Sequence, residues 1–202
     1  MNTKSGKFSR IPLELLDLRA IQNATVLIDI DGTVTADGQT ECSNGTLQVI
    51  RSLASHNSVY LVSNHRDSIR NRAVARRVGL ACIETPHRKP SRKVLASLPT
   101  AHKQRRMIVI GDKIIVDGLF AWRIGAHFIK VARIASPEDR IITKLAYLLD
   151  DLISKMADWV PISYAPDEGH VCVSDEQNIG GKTIHLSIPI TGARRNVLVK
   201  RV

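Results

Sequence analysis

The sequence predicts an α/β fold in which a parallel sheet is flanked by helices, with a small β-rich extension at the C-terminal end. Two observations predict this fold class. Short apolar runs alternate with segments of helical periodicity between residues 25 and 157, as in repeated βαβ units. Polar turn residues follow several of the apolar runs, at the strand ends where open parallel sheets bind ligands.

Five strands and five helices are expected in alternation along this region. Each strand is a short apolar run, and the predicted strands are 25–30, 58–63, 80–84, 107–111 and 127–131. Each helix is longer and more polar, and the predicted helices are approximately 44–56, 67–78, 91–98, 115–125 and 138–157. Because βαβ crossovers are right-handed, we expect helices to cover the sheet.

Length and composition indicate one α/β core with a short addition at each end. A chain of 202 residues with 44% hydrophobic residues is long enough to bury a substantial core. We expect an N-terminal segment at 1–24, a core at 25–158 and a β-rich extension at 159–202. The extension is predicted because prolines and glycines after Trp159 separate short apolar runs that alternate as strands do.

The first predicted strand ends in two aspartates. Residues 25–33 read TVLIDIDGT, so Asp29 and Asp31 lie at a turn that the conformational freedom of Gly32 permits. Two close carboxylates repel each other, and a hard divalent cation such as Mg²⁺ would keep both ionised. The arrangement indicates aspartate-based phosphoryl transfer, and the simpler alternative is an Asp-Gly turn that only ends a strand.

Three later segments carry groups that suit a phosphate and its counter-ion. Ser63 and Asn64 follow the second strand in VYLVSNHRD, and Lys89 precedes a proline in PHRKP. Asp112 ends the fourth strand in MIVIGDKIIVD, with Asp117 five residues later. Each segment alone is a weak signal, since Ser-Asn is common in loops and most lysines are solvated.

Taken together and in this order, the four segments resemble motifs I to IV of the haloacid dehalogenase (HAD) superfamily, whose core is a Rossmann-like parallel sheet. The resemblance implies that Asp29 attacks phosphorus and forms an aspartyl-phosphate. It implies that Asp31 protonates the leaving group and then activates water, and that Lys89 stabilises the charge on the phosphoryl group. An aspartate at both positions is similar to the pattern of the phosphatases.

The same resemblance implies which residues bind the phosphate and the metal ion. The phosphate-binding residues are expected to be Thr33, Ser63, Asn64 and Lys89. The Mg²⁺ ligands are expected to be Asp29, Asp112 and the backbone carbonyl of Asp31, with Asp117 as a supporting carboxylate.

A closer resemblance covers residues 11–157. The stretch from Gly111 to Val131 resembles the YqeG-type branch of HAD subclass IIIA, which is related to mitochondrial phosphatidylglycerophosphate phosphatases. The sequence departs from that branch at Lys113, where glutamine is common, and at Gly32-Thr33, where Asn-Thr is frequent. Phosphatidylglycerophosphate is therefore the substrate that the resemblance implies.

The spacing between the motifs leaves no room for a large cap domain. About 30 residues separate Thr33 from Ser63, and about 26 separate Ser63 from Lys89, which is only enough for the core helices. We therefore expect an open site. Such a site suits a phosphate on a large substrate, or a small substrate that a neighbouring subunit of an oligomer encloses.

The net charge of +10 bears on the partners of this protein. Five arginines lie in or just before the second predicted helix, and this basic helix would attract an anionic membrane or nucleic acid; they are Arg66, Arg70, Arg72, Arg76 and Arg77. The alternative is an ordinary solvated face. Aromatic residues make up only 4% of the chain, which disfavours recognition of single strands by base stacking.

Cysteine usage and hydropathy bear on localisation. Cys42, Cys82 and Cys172 are odd in number and far apart, so a reducing cytoplasm is the simplest expectation, with peripheral membrane association as a possibility. No apolar run is long enough to span a bilayer. The basic residues Lys4, Lys7 and Arg10 leave organelle targeting as an alternative.

The sequence thus predicts a Mg²⁺-dependent phosphomonoester hydrolase that works through an aspartyl-phosphate intermediate, with phosphatidylglycerophosphate as the leading substrate. Alternative substrates are a nucleic-acid 3′ end and a phosphosugar. A different class of function also stays open, namely a non-catalytic HAD-like module that binds nucleic acid or a ribonucleoprotein.

Overall fold

The computed structural model describes residues 11–16, 18–135, 148, 150, 152, 170–173 and 186–189. Five parallel strands form one sheet in the order β3-β2-β1-β4-β5. The strands are β1 (Thr25–Asp29), β2 (Ser58–Val62), β3 (Ala81–Cys82), β4 (Met107–Gly111) and β5 (His127–Lys130). The predicted α/β class with a parallel sheet flanked by helices is confirmed.

The central position of β1 follows from its composition. All five of its residues are buried, as expected for a strand that is paired on both edges and covered on both faces. Asp29 is in register with Val62 of β2, and Ile28 is in register with Ile110 of β4. The carboxyl ends of the three middle strands therefore lie side by side.

Helices cover both faces of the sheet. The α-helices are α1 (Asn44–Ala54), α2 (Ser68–Val78), α3 (Thr100–Lys103) and α4 (Leu119–Ile124). Ser43 caps α1 by accepting a hydrogen bond from the Thr46 N–H, and Asp67 caps α2 by accepting one from the Arg70 N–H. Gly79 ends α2 in the left-handed conformation, at φ 78°.

Two apolar clusters form the core, one on each face of the sheet. One contains Ile28 and Ile110 and is covered by α1, α2 and the segment that precedes β1. The other contains Leu27, Val109 and Phe120 and is covered by α4 and the segment that precedes α3. Leu13 and Ile21 are also buried in the first cluster, so part of the predicted segment 1–24 packs on the sheet.

Two predicted helices differ from the structure in detail, and one short helix was not predicted. The predicted helix 91–98 is a 3₁₀-helix at Arg92–Ser97, and the short helix α3, which the sequence did not predict, follows it after Pro99. The predicted helix 115–125 begins as a π-helical turn at Ile114–Gly118 and continues as α4. That turn places Asp117 back against the end of β4.

Little of the C-terminal third belongs to the described residues. Leu148, Asp150 and Leu152 are helical, and the rest of the predicted helix 138–157 lies outside the described residues. Strands β6 (His170–Val173) and β7 (Leu186–Pro189) pair antiparallel, within the predicted β-rich extension 159–202. The rest of that extension, including its predicted last strand, also lies outside them. No helix in the described part of the chain has the length and apolarity needed to cross a membrane.

Candidate active site

The predicted site residues converge at the carboxyl edge of the sheet. Asp29 is the last residue of β1, Ser63 follows β2, and Asp112 follows β4. Since β1 pairs with both β2 and β4 in parallel, these three residues end up on one edge. The loop that carries Lys89 closes over the same edge, because its ammonium group reaches Asp29.

Lys89 joins two of the buried carboxylates. Its Nζ donates to Asp29 Oδ1 and lies 2.6 Å from Asp117 Oδ1. Its side chain is only 2% exposed, so these contacts hold the charge in a dry environment. Burial lowers the pKa of Lys89, but the carboxylates of Asp117 and Asp29 outweigh that effect, and the net pKa lies above its ordinary value. Lys89 is therefore a fixed positive charge beside the carboxylate of Asp29.

Asp29 is electrostatically distinct from an ordinary surface carboxylate. Burial and the negative charge of Asp117 raise the pKa of Asp29 to about 7, against the opposing effects of Lys89 and Lys113. A carboxylate with a raised pKa is more basic and less well solvated than a free one. Both properties favour nucleophilic attack once the proton has left.

The glycine at the end of β4 makes room for Asp117. A Cβ atom on Gly111 would lie 2.5 Å from Asp117 Cγ, which no side chain at position 111 can accommodate unless Asp117 moves. The π-helical turn bends the chain back so that the main-chain N–H of Lys113 donates to Asp117 Oδ2 at 3.2 Å. Asp117 is thus fixed by the main chain on one oxygen and by Lys89 on the other.

Asp31 has a different set of partners. Its Oδ2 accepts a hydrogen bond from Ser63 Oγ at 2.8 Å, and its Oδ1 lies 2.8 Å from Arg70 Nη2. Oδ1 also accepts from the main-chain N–H of Gly38 at 3.3 Å. Arg70 was expected to lie with the other arginines of this helix on a surface that attracts a polyanion, and its burial contradicts that placement. Arg70 is 7% exposed and points into the site, because the buried stripe of α2 includes its position.

The predicted phosphate-binding residues have unequal surroundings. The side-chain amide of Asn64 accepts from the Lys89 N–H at 2.8 Å and donates to the Lys89 carbonyl at 3.0 Å. This contact differs from the predicted one, since the amide holds the main chain of the Lys89 loop. Thr33 Oγ1 is buried and has no hydrogen-bond partner among the described residues, so it has a capacity that a ligand would satisfy.

Asp112 is held by two cations that the sequence analysis did not assign to the site. Its Oδ1 lies 2.9 Å from Lys113 Nζ, and its Oδ2 lies 2.8 Å from Arg133 Nε. Gly32 makes room for this carboxylate, because a Cβ on Gly32 would lie 2.6 Å from Asp112 Oδ2. Gly32 also has φ 89°, a conformation that glycine adopts most easily.

The acidic residues fit a divalent cation. Asp29, Asp112 and Asp117 are all buried, and each offers one carboxylate oxygen within 4.8 Å of the others. Hard oxygen ligands grouped in this way are what Mg²⁺ and Ca²⁺ take in proteins. Asp117, expected only as a supporting carboxylate, belongs to this group. The carboxylate of Asp31 does not belong to this group, and its expected contribution through the main-chain carbonyl stays a prediction.

When all four carboxylates are ionised, charges balance within the described part of the site. The four carboxylates are Asp29, Asp31, Asp112 and Asp117, and the four cationic side chains that contact them are Arg70, Lys89, Lys113 and Arg133. Side-chain cations thus already offset the repulsion from which we predicted a divalent ion. The case for a metal rests instead on the grouping of the oxygen ligands.

Arg133 also connects the site to the helical residues near position 150. Asp150 is 1% exposed, accepts from the Ile115 N–H at 3.0 Å and lies 3.1 Å from Lys130 Nζ. Arg133 Nη2 lies 3.9 Å from the same carboxylate. The signal that would have found Arg133 is its place just after β5, at the same edge of the sheet as the other site residues.

Comparison with known protein families agrees with this geometry. A family model described as mitochondrial PGP phosphatase matches residues 2–133, which is more than half of the chain. The matched range contains every predicted site residue, together with Arg70, Lys113 and Arg133. No curated protein matches the chain.

Proposed function

Because this chain belongs to the mitochondrial PGP phosphatase family, we propose that it is a Mg²⁺-dependent phosphomonoester hydrolase that works through an aspartyl-phosphate intermediate. Membership of a phosphatase family sets aside the alternative of a non-catalytic binding module. The observation that carries the mechanism is the contrast between Asp29, beside Lys89 and Asp117, and Asp31, beside Ser63 and Arg70. Two neighbouring carboxylates in different surroundings suit two different roles.

The first half-reaction assigns a separate task to each carboxylate. Asp29 attacks phosphorus with one carboxylate oxygen, so a P–O bond forms to Asp29 as the bond to the leaving alcohol breaks. Asp31, which is ionised in its pair with Arg70, first takes up a proton from solvent and then gives it to the departing oxygen, and the products are the free alcohol and an aspartyl-phosphate. Lys89, fixed beside Asp29, reduces the repulsion between the nucleophile and the phosphoryl oxygens.

The second half-reaction reverses these tasks. Asp31, now ionised, takes a proton from a water molecule that attacks phosphorus, and the P–O bond to Asp29 breaks to release inorganic phosphate. Ser63 and Arg70 hold the Asp31 carboxylate in place for both steps. The Thr33 hydroxyl has no partner in the part of the chain that the structure describes, which supports its proposed role as a donor to the phosphoryl group.

The metal ion would be held by Asp29, Asp112 and the main-chain carbonyl of Asp31, with Asp117 close by. When bound, it supplies positive charge that offsets the anionic oxygens of the phosphate. The main role of Asp117 is then to hold Lys89, through the contact at 2.6 Å.

Phosphatidylglycerophosphate is the proposed substrate, because the family description names PGP phosphatases. The short connections between the motifs support an accessible site, which suits a phosphate on a lipid headgroup. The same description supports a mitochondrial location, whereas the expected cytoplasmic location stays a prediction. A nucleic-acid 3′ end and a phosphosugar are the substrates that the test must separate from the lipid.

The test measures phosphate release from a phosphatidylglycerophosphate vesicle, a 3′-phosphate oligonucleotide, a sugar phosphate and an aryl phosphate, each with Mg²⁺ and with a chelator. We expect the highest kcat/KM on the lipid and no turnover without the metal. In Asp29→Asn, turnover should disappear from a folded protein, because an amide does not attack phosphorus. Activity in that variant would contradict the assignment of Asp29 as the nucleophile. A higher kcat/KM on the oligonucleotide would contradict the proposal that phosphatidylglycerophosphate is the substrate.

The intermediate needs a separate measurement. Asp31→Asn slows loss of the phosphoryl group from Asp29, so a phosphoprotein should accumulate with an aryl phosphate, whose good leaving group needs little acid catalysis. Acid-quenched protein is analysed by intact-mass spectrometry for the added phosphoryl mass. Absence of that mass at several quench times would argue for direct attack by water.

A further inference from the structure

We infer that Lys113 is a built-in cation of the candidate active site, and that a divalent metal ion binds there only by displacing its ammonium group. The inference rests on the proposed function, because it concerns the metal site of that function. It concerns a position at which this sequence departs from the branch that it resembles, where glutamine is common. Lys113 would then set the concentration of divalent metal ion that is needed to occupy the site.

The ammonium group of Lys113 contacts two oxygen atoms of the proposed metal site. Its Nζ lies 2.9 Å from the main-chain carbonyl oxygen of Asp31 and 2.9 Å from Asp112 Oδ1. These are two of the oxygens proposed as metal ligands, and they belong to different segments of the chain. An ammonium group and a metal ion are both positively charged and bind the same two oxygens, so each weakens the binding of the other.

Lys113 and Arg133 contact different oxygens of the Asp112 carboxylate. Arg133 holds Oδ2 from the other side, at 2.8 Å, and therefore leaves Oδ1 as the oxygen for which Lys113 and a metal ion compete. Displacement of Lys113 would not release Asp112, since Arg133 still fixes the carboxylate. The ligand would thus be positioned before the metal arrives.

Lys113 has the most exposed side chain of the four cations in the cluster. Its side chain is 21% exposed, whereas the side chain of Lys89 is 2% exposed and lies between Asp29 and Asp117. The long flexible stem of a lysine lets a partly exposed ammonium group reach water without movement of the main chain. Lys113 is therefore the cation in this cluster that a metal ion would replace most easily.

The net charge of the acidic cluster differs between the protein with Lys113 and a variant without that lysine. With Lys113 in place and all four carboxylates ionised, four cations already offset the four negative charges before any metal or phosphate enters. A divalent ion added to this balanced cluster meets repulsion from Lys113, and its affinity is reduced accordingly. Removal of the lysine charge should raise the affinity, and a glutamine should do so while keeping a hydrogen-bond donor of similar reach.

The experiment measures binding of Mg²⁺ alone to the full chain by isothermal titration calorimetry, with no substrate present. The variants are Lys113→Gln, Lys113→Ala and, as a matched control, Lys103→Gln. Lys103 is exposed and donates to the Ala96 carbonyl at 3.2 Å, so its replacement removes the same charge far from the acidic cluster. Binding of Mn²⁺ followed by electron paramagnetic resonance gives a second readout on the same proteins.

We expect both Lys113 variants to bind Mg²⁺ at least about tenfold more tightly than the unchanged protein, which corresponds to about 1.4 kcal/mol. Lys103→Gln should change the affinity by less than about twofold, because exposed charges at a distance are screened. Equal or weaker Mg²⁺ binding in the Lys113 variants would overturn the inference. Circular dichroism identifies any variant that does not fold. If one of the two Lys113 variants does not fold, the Mg²⁺ affinity of the other tests the inference.

Two further outcomes separate this inference from the proposed function. Tighter Mg²⁺ binding by Lys113→Gln in a protein that hydrolyses no phosphomonoester would support the inference and overturn the proposed function. Weaker binding of inorganic phosphate by Lys113→Gln, with unchanged Mg²⁺ affinity, would overturn the inference and make Lys113 a phosphate ligand. That second result is fully compatible with phosphatase activity.

Discussion

Arg70 and Asp31 form a buried ion pair, with Arg70 Nη2 2.8 Å from Asp31 Oδ1. The guanidinium group is fixed on several sides, because Nη2 also donates to Thr35 Oγ1 at 2.9 Å and Nε donates to the Gln39 carbonyl at 2.9 Å. A planar fork held in this way sets both the position and the charge environment of the carboxylate. Arg70 is therefore a positioning residue for the proposed acid and base.

The first prediction is that Arg70→Gln lowers kcat by about 10- to 100-fold on a substrate with an alkyl leaving group. This loss is a part of what general acid catalysis usually contributes, because the acid is misplaced and not removed. The loss should be smaller on an aryl phosphate with a good leaving group, because that group departs with little help from an acid. Steady-state kinetics on both substrates measures the difference.

Arg76→Gln is the control for the Arg70 variant. It lies on the same helix and loses the same charge, but its side chain is exposed. It should leave both rates unchanged. An equal loss on the alkyl and the aryl substrate in Arg70→Gln would mean that the arginine supports the fold rather than the acid.

The sequence predicted well the strand ends that form the site, but it predicted poorly which cationic side chains enter the site. The ends of β1, β2 and β4 were placed within one residue, because apolar β-branched runs that stop at polar turn residues define a buried strand sharply. Arg70 was misplaced because α2 is rich in arginine, which conceals the stripe of Asn71, Val74 and Val78 to which its position belongs. Charge alone did not show which arginine of the helix faces inward.

Lys113 and Arg133 were missed for a different reason. A lysine next to an aspartate, or an arginine just after a strand, is usually solvated, and only the fold brings their charges onto Asp112. The predicted helix 91–98 is present as a 3₁₀-helix, a type that the sequence did not specify because local periodicity does not distinguish it from an α-helix over six residues. The pairing of side chains across loops was therefore the least predictable part of the site.

The second prediction concerns the close approach of Gly111 and Asp117. A methyl group at position 111 would lie 2.5 Å from Asp117 Cγ, so Gly111→Ala should displace Asp117 and, with it, Lys89. We expect the free energy of unfolding to fall by about 1–3 kcal/mol, as for other overpacked sites. Turnover should fall as well, and urea denaturation and an aryl phosphate assay measure the two effects.

A double-mutant cycle isolates the steric origin of that effect. Asp117→Ala removes the atoms that the new methyl group meets, so the added cost of Gly111→Ala should be smaller in the Asp117→Ala background. Additive costs for the two changes would show that Gly111 matters through its backbone and not through the space that it leaves.

The third prediction concerns the exposed arginines in and just before α2, with Arg70 now left out. Arg72 pairs with Glu84 and Arg77 with Glu41 on the surface, so the two positions most available to a polyanion are Arg66 and Arg76. Arg66→Gln with Arg76→Gln should weaken sedimentation with anionic vesicles and reduce its salt dependence. Turnover of a small aryl phosphate should not change.

Neutral vesicles and a duplex oligonucleotide serve as controls for that surface. Unchanged binding of the double variant to anionic vesicles would make this face an ordinary solvated one. Loss of binding to the oligonucleotide alone would indicate a nucleic acid as the partner in place of a membrane.

The last prediction concerns the boundary of the core near position 150. The family match ends at residue 133, yet Asp150 is buried, lies 3.1 Å from Lys130 Nζ and accepts from the Ile115 N–H. Truncation after Asp158 should therefore keep a folded α/β core with metal-dependent turnover. Truncation after Tyr147, which removes Asp150, should lower the free energy of unfolding by about 3 kcal/mol, the scale for loss of one partner of a buried pair.

Asp150→Asn in the full chain tests the same contact without shortening the protein. It removes the charge and keeps the size, so it should reproduce most of the loss of stability and reduce turnover through Arg133, which bridges Asp150 and Asp112. Thermal unfolding and the aryl phosphate assay are compared across the two truncations and the point variant. Equal stability of the chains that end after Tyr147 and after Asp158 would contradict the role of Asp150. A chain truncated after Asp158 that fails to fold would show instead that residues 159–202 complete the core, because removing them would expose the apolar surface on which they pack.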